Sequence, residues 1–206
     1  MSDFPYADRF PVNRVLPERG RSQREIIAEL AQMAHEEDAV WETGKISGTM
    51  YCGDHEHYAF LTEAFAEFAH VNALQRDLCP SQTRFEGEII AMVLDLMHAD
   101  AVTDTIPAGL VTSGGTGSIL HGILAYREYA AAHRGISPAT GRLPNLVKPE
   151  TAHPAFDKAC HLFGIENRTV PVDPATTLVD PAVVDEAIDD NTIVLVGSAG
   201  NYPYGT

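Results

Sequence analysis

Three short clusters hold the residues best suited to chemistry. The first, Thr112–Ser118, reads Thr-Ser-Gly-Gly-Thr-Gly-Ser. Its glycines let the backbone approach an anion, and a helix that follows would offer free N–H groups. The second, Thr151–Ala159, carries His153, whose imidazole can stack on a planar ligand or move a proton. The third, Gly197–Thr206, combines small residues with Asn201 and two tyrosines, which suits a loop over a ligand.

Each cluster alone has a plainer explanation. The glycine-rich turn lacks the lysine of a P-loop and the G-x-G-x-x-G spacing, which disfavours nucleoside triphosphates and dinucleotides. A tight strand-to-helix turn explains it equally well. His153 alone is more typical of a helix-capping or surface histidine, and the third cluster of a polar loop. What favours a ligand site is where the clusters fall among the predicted elements.

Periodicity predicts helices in the first hundred residues. The first begins with a capping box at Ser22 and Glu25, the second near Asp54 and the third near Ser81. In the third helix, four apolar residues at helical spacing are expected to face inward: Phe85, Ile89, Val93 and Leu96.

Short apolar strands alternate with helices after residue 108. The predicted strands are Gly109–Thr112, Asn145–Lys148, Arg168–Val172 and Thr192–Gly197, and the later predicted helices span 153–163 and 180–188. This alternation predicts a parallel sheet, in which ligands bind beyond the carboxyl ends of the strands. All three clusters fall there.

Composition narrows the function classes. The chain has 206 residues and 45% apolar content, enough for one domain with a core. With 29 acidic against 14 basic residues, the net charge of -15 argues against nucleic acid or an anionic membrane as a partner. No apolar run is long enough to span a membrane, no secretory signal is recognisable, and the three cysteines lack a CxxC spacing, so a cytoplasmic location is expected. No metal site is expected, because His55 and His57 would point apart on a helix.

In their order and spacing, the clusters resemble the pyridoxal-phosphate (PLP)-dependent decarboxylase group (group II decarboxylase-like), and within it the sphingosine phosphate lyase branch. V-T-S-G-G-T-x-S-I-L resembles its phosphate-binding turn, P-E-T-A-H-P-A-F-D-K-A-C-H-L-F-G-I its cofactor-stacking segment, and G-S-A-G-N-Y-P-Y-G-T its next loop. Upstream, W-E-T-G-K-I-S-G-T-M-Y and F-A-H-V-N-A-L also match. The resemblance runs from about Leu16 to Thr206.

The resemblance implies an α/β chain with the type I fold of PLP-dependent transferases, which is aspartate aminotransferase-like. The expected parts are an extended arm over residues 1–20, a helical segment over 21–108, and the first part of the PLP-binding large domain, with an incomplete, mostly parallel sheet, over 109–206. A homodimer with shared active sites is implied as well.

The family's site residues carry over onto matching positions. By resemblance, Gly115, Thr116 and Ser118 bind the PLP phosphate. His153 stacks on the pyridine ring and is one catalytic residue. Tyr51 is the other, and matches a tyrosine that often reaches the active site of the neighbouring subunit.

By the same resemblance, Asn72 and Gln75 lie near the substrate phosphate. The lyases usually have histidine where this chain has Gln75, and the family usually has glutamate where it has Gly117. Glutamine carries no positive charge to a phosphate, and glycine removes a carboxylate beside the turn.

PLP chemistry also needs a lysine that holds the cofactor covalently. In the family this lysine follows a further strand, whose aspartate pairs with the pyridine nitrogen, and it ends a His-Lys loop. The chain has three lysines, Lys45, Lys148 and Lys158, and none matches. We therefore expect the front part of a truncated enzyme that is inactive by itself.

The expected function is a PLP-dependent carbon–carbon lyase acting on a small-molecule amine. Retro-aldol cleavage of a phosphorylated long-chain amino alcohol is favoured by the loop matches. Amino-acid decarboxylation is kept open by Gln75 and Gly117. A third alternative is a non-enzymatic fragment or partner subunit that lacks the lysine.

Overall fold

The computed structural model describes residues 4–45, 54–201 and 203–206. The chain forms two compact units, Met1–Asn72 and Ala73–Thr206. The division at residues 20 and 108 that the resemblance implies stays a prediction.

The first unit contains helices α1 (Gln23–Trp41) and α2 (His55–Phe68). Ser22 and Glu25 form the predicted capping box: the Ser22 hydroxyl accepts the Glu25 N–H, and the Glu25 carboxylate accepts the Ser22 N–H at 3.1 Å. Asp54 caps α2 through its carboxylate. Both predicted helix starts are confirmed, because each cap satisfies N–H groups that have no partner inside the helix.

The second unit contains a small parallel sheet with helices. Its helices are α3 (Pro80–Leu96), α4 (Gly115–Arg134), α5 (Ala155–Phe163) and α6 (Pro181–Glu186), and its strands are β1 (Asn145–Pro149), β2 (Glu166–Val170) and β3 (Thr192–Leu195). Short 3-10 turns occur at Ala99–Ala101 and Pro138–Thr140. The strand order is β2-β1-β3, and both pairings are parallel.

Local sequence explains where several helices of this unit begin or end. Gly135 and Gly164 follow α4 and α5 in the left-handed conformation, which glycine adopts without strain. Asp180 caps α6, with Pro181 at its first position. β1 is buried along its whole length, as expected for a central parallel strand.

The core lies between the sheet and the helix pair α4 and α5, which pack against each other. Its buried members are Ile123, Leu146, Ala159, Cys160 and Ile165.

The prediction of a strand over Gly109–Thr112 is wrong. This segment has no regular secondary structure, and Leu110 and Val111 are about half exposed. A strand needs a neighbour to pair its backbone groups, and here the Val111 N–H donates to the Glu86 carboxylate instead, at 3.4 Å.

The inward orientation predicted for one face of α3 is also wrong within this chain. Phe85, Ile89, Val93 and Leu96 are 44% to 73% exposed. Helices α1, α2 and α3 contain no buried residue among those described. Their apolar stripes are present, but the described residues leave them uncovered.

None of the helices in the described ranges is both long and apolar enough to cross a membrane.

Candidate functional site

The glycine-rich turn is held by its own hydroxyl groups. The Thr112 hydroxyl contacts that of Ser118 at 2.7 Å and donates to the Gly114 carbonyl at 3.0 Å. Ser118 also bonds that carbonyl, through its hydroxyl at 3.3 Å and its backbone N–H at 3.0 Å. Thr112 and Ser118 therefore fix the loop just ahead of α4, while Thr116 stays exposed.

The start of α4 fits an anion. Its N-cap, Gly114, has no side chain to accept a bond from the first helical N–H groups, so these groups are available to a ligand. A Cβ built on Gly114 or Gly115 meets no atom within 4 Å, so the space beside them is open. The helix dipole favours negative charge at this end. These features fit the phosphate of PLP.

Gly117 stands where the resemblance expects glutamate, and its surroundings are tighter. A Cβ there would lie 3.2 Å from the Ser113 hydroxyl oxygen and 3.5 Å from the Thr112 Cβ. A larger side chain would require the Ser113 hydroxyl to shift by a few tenths of an ångström.

Two sets of contacts place the start of α4 at the carboxyl edge of the sheet. At the far end of the helix, the Arg134 guanidinium donates to the Thr192 carbonyl, at the start of β3, at 2.9 Å. Near its beginning, Ile119 lines a cavity together with Val196 and Gly197, which follow β3. The helix therefore runs antiparallel to β3.

His153 follows the central strand and caps the next helix. Its Nδ1 accepts the Ala155 N–H at 3.1 Å, at the first position of α5. An accepting Nδ1 carries a lone pair, so the neutral ring has its proton on Nε2. The capping role that the sequence offered as the plainer explanation is thus present, and it also fixes the ring's tautomer.

The third cluster contacts the second at the same edge. A cavity of about 90 Å³ is lined by Pro149 and Thr151 after β1, and by Gly197, Ser198 and Asn201 after β3. Because β1 and β3 are parallel neighbours, their carboxyl ends meet there. The convergence expected from the alternation of strands and helices is therefore observed.

A strap that the sequence did not point to completes this cavity. Thr177, Leu178 and Val179 line it from the segment after β2. The buried Asn201 amide donates to the Thr177 carbonyl at 3.3 Å. The turn chemistry was readable, since Asp173 accepts two backbone N–H groups, but its place over the sheet edge depends on tertiary structure.

Segment 73–86 is tied to the turn through Glu86. Its carboxylate pairs with Arg76 at 2.5 Å and accepts the Val111 N–H. The Arg76 bond, followed by the Val111 N–H, lowers the pKa of Glu86. This contact links the neighbourhood of Gln75 to the backbone that enters the turn.

The remaining predicted site residues are Asn72, Gln75 and Tyr51. Asn72 ends the first unit and Gln75 lies at the start of the second. The Gln75 carbonyl accepts the Leu78 and Cys79 N–H groups, so its backbone forms the turn before α3. Tyr51 lies outside the described residues.

No protein-family model matches. The chain is 37% identical over 194 residues to sphingosine-1-phosphate lyase of Drosophila melanogaster, covering 94% of this chain and 34% of the fly protein. It is 38% identical over 194 residues to the Saccharomyces cerevisiae protein of the same name, covering 92% of this chain and 31% of that one.

Solved structures agree. Sphingosine-1-phosphate lyase of Burkholderia pseudomallei matches with a TM-score of 0.85 and 53% identity, over 98% of this chain and 46% of that one. Glutamate decarboxylase of Lactobacillus brevis shares the fold, with a TM-score of 0.62 and 21% identity, over 95% of this chain and 43% of the other.

The chain is therefore a homologue of sphingosine-1-phosphate lyases, and its α/β architecture is that of part of a type I PLP-dependent domain. It spans about a third of the length of the curated relatives it matches.

Proposed function

We propose that the complete protein is a PLP-dependent carbon–carbon lyase that cleaves a phosphorylated long-chain amino alcohol. The observation that carries this proposal is the likeness to proteins named sphingosine-1-phosphate lyase, which reaches 53% identity over 98% of the chain. The site supports it, because the clusters that resemble that branch lie around one edge of the sheet.

The cofactor would be held by two features. The N–H groups at the start of α4, from Gly115 onward, would bind its phosphate, with Thr116 and Ser118 beside them. His153 would cover one face of its ring. Bound there, PLP would supply a ring that accepts the electron pair left when the carbon–carbon bond breaks.

The substrate phosphate would be met by Asn72 and Gln75. Both side chains are amides, so they would bind it by hydrogen bonds and not by opposite charge. Tyr51 would complete the site, reaching it from the neighbouring subunit of a homodimer. The cytoplasm is the proposed location.

Amino-acid decarboxylation is the second candidate. The observation that favours it is the pair of departures at Gln75 and Gly117. Gln75 offers no positive charge to a substrate phosphate, and Gly117 removes a carboxylate from the turn. A substrate that carries no phosphate therefore remains a candidate.

A product assay on the complete protein separates the two reactions. With PLP, a phosphorylated long-chain amino alcohol should yield a long-chain aldehyde, while amino acids should yield no carbon dioxide. Formation of carbon dioxide without aldehyde would favour the second candidate over the first. If neither product forms, both candidate reactions are rejected.

The role of His153 is tested with a matched histidine. His153→Ala should weaken PLP binding about fivefold, since ring stacking contributes roughly 1 kcal/mol. His161→Ala, an exposed residue in the last turn of α5, should leave it unchanged. Equal cofactor affinity of wild type and His153→Ala would reject the stacking role.

A further inference from the structure

Lys148 is a charged residue inside the sheet. It lies on the central strand β1, directly before Pro149, and its side chain is only 3% exposed. Side chains alternate along a strand, so Lys148 shares a face with Leu146, which belongs to the core beneath α4 and α5. A buried ammonium is unfavourable unless it is paired, which makes its partner informative.

That partner is Asp157, in the first turn of α5. The Lys148 Nζ lies 3.1 Å from the Asp157 Oδ1, and the same oxygen accepts the Asn167 Nδ2 of β2 at 2.6 Å. The carboxylate is 46% exposed, so the pair runs from the sheet interior toward the surface. One carboxylate oxygen thus joins β1, α5 and β2.

The same helix turn holds the imidazole of His153. Ala155, which donates its N–H to the His153 Nδ1, lies two residues before Asp157 and is itself buried. A shift of this turn relative to β1 would move the donor and with it the ring.

We propose that Lys148 is a positioning residue, whose buried ion pair with Asp157 fixes the first turn of α5 and thereby the orientation of the His153 ring. It touches neither cofactor nor substrate. Its effect on the site rests on the proposed function, because the orientation of the ring matters there only if His153 contacts the cofactor.

A role in stability alone makes a different prediction. Removing one partner of a buried ion pair leaves an unpaired group, whereas removing both is often nearly neutral. Lys148→Met and Asp157→Asn should each lower the thermal midpoint, and the double variant should recover most of it. If the pair also positions His153, the double variant should not recover cofactor binding.

The experiment uses the complete protein with PLP as the probe. We expect Lys148→Met, alone or with Asp157→Asn, to raise the Kd of PLP about fivefold and to weaken the visible circular dichroism of the bound cofactor. The matched control is Lys158→Met, which changes an exposed lysine on α5, the helix of Asp157. It should change neither the Kd nor the circular dichroism. In a His153→Ala background, Lys148→Met should have no further effect on the Kd. Full recovery of both thermal midpoint and Kd in the double variant would overturn the positioning role.

A readout without cofactor keeps this inference separate from the proposed function. Hydrogen exchange of the Ala155 amide, measured by mass spectrometry in the absence of PLP, should be faster in Lys148→Met and unchanged in Lys158→Met. Wild-type protein that binds no PLP would reject the proposed function, and the exchange result would still decide the coupling. Equal Ala155 exchange in wild type and Lys148→Met would overturn it.

Discussion

Gly114 occupies a backbone conformation that only glycine adopts readily. Its φ is 146° and its ψ is 178°, although the space where a Cβ would lie is open. The constraint at this position is therefore the backbone itself, at the start of the helix that would bind the cofactor phosphate.

Gly114→Ala should accordingly weaken PLP binding in the complete protein about tenfold, because strain of roughly 1–3 kcal/mol would reshape the turn. Gly122→Ala is the control: it lies inside α4 with nothing near its Cβ position, and should slightly raise the thermal midpoint. Titration of both variants with PLP checks this, and equal affinities would show that the turn tolerates a side chain.

Burial governs the chemistry of Cys160. Loss of solvent, with the nearby Asp157 carboxylate adding and Lys148 opposing, raises the pKa of this thiol from 9.0 to about 11. Its stabilising contribution is therefore complete below pH 9 and is lost as the pH rises through 11.

We expect iodoacetamide at pH 9 to label Cys160 in the folded protein far more slowly than in the unfolded chain, because burial both shields the thiol and disfavours the reactive thiolate. Cys79, which is partly exposed at the start of α3, serves as the internal reference. Peptide mass spectrometry gives both rates. Labelling of Cys160 as fast as Cys79 would contradict its burial and the raised pKa that follows from it.

At this scale the sequence predicted residue types better than contacts. Motif spacing is local, so the sequence alone could propose His153 and the glycines of the turn as candidates, and their roles stay predictions. The pair of Lys148 and Asp157 could not be proposed in this way, because its members lie nine positions apart on a strand and a helix whose packing is set by the core.

Among the elements, the loop before β3 is held by one carboxylate. Asp189 accepts the Asn145 side-chain amide at 2.7 Å, the Asn191 N–H at 2.8 Å and the Arg168 guanidinium at 2.8 Å. These bonds, led by that of Asn145, lower the pKa of Asp189 from 3.8 to about 2. They join β1 and β2 to the start of β3.

Asp189→Asn should lower the thermal midpoint at neutral pH. A lowered pKa means that the contribution of Asp189 is present above pH 3.8 and is lost as the pH falls through 2, so the difference from wild type should shrink over that range. Asp190→Asn, at the adjacent exposed position, is the control. Thermal unfolding measured across this pH range checks it, and a difference independent of pH would contradict the carboxylate's role.

Helix starts were predicted well, whereas strands were predicted less well. A capping box or an Asp-Pro pair satisfies backbone groups locally, so Ser22 and Asp180 mark their helices in any context. A strand forms only where a neighbour pairs with it, and no local signal shows that Val111 bonds to Glu86 instead.

At the scale of the chain, none of its three lysines, all of which lie in the described ranges, is placed to hold a cofactor covalently. Lys148 is buried and paired, Lys158 is exposed on α5, and Lys45 is exposed in the turn after α1. A lysine that forms a Schiff base must be both accessible and activated by its surroundings.

The 206-residue chain by itself, mixed with PLP and reduced with borohydride, should thus show no stoichiometric labelling of Lys45, Lys148 or Lys158, and no lyase activity. Mass spectrometry of the digested chain locates any adduct, and free lysine treated in parallel verifies the reduction. Selective labelling of one lysine together with turnover of an amine would disprove this expectation.

The two sides of the proposed cofactor site differ in their expected resistance to local unfolding. β1, which leads into His153, is buried and hydrogen-bonded on both sides, so it should open only when the whole unit unfolds. The glycine-rich turn follows an exposed segment that belongs to no strand, so it should open by small local fluctuations. A ligand would therefore contact a rigid segment, β1 with His153, on one side and an adjustable segment, the glycine-rich turn, on the other. Ordering the glycine-rich turn on binding would cost conformational entropy, which would reduce the net free energy of binding.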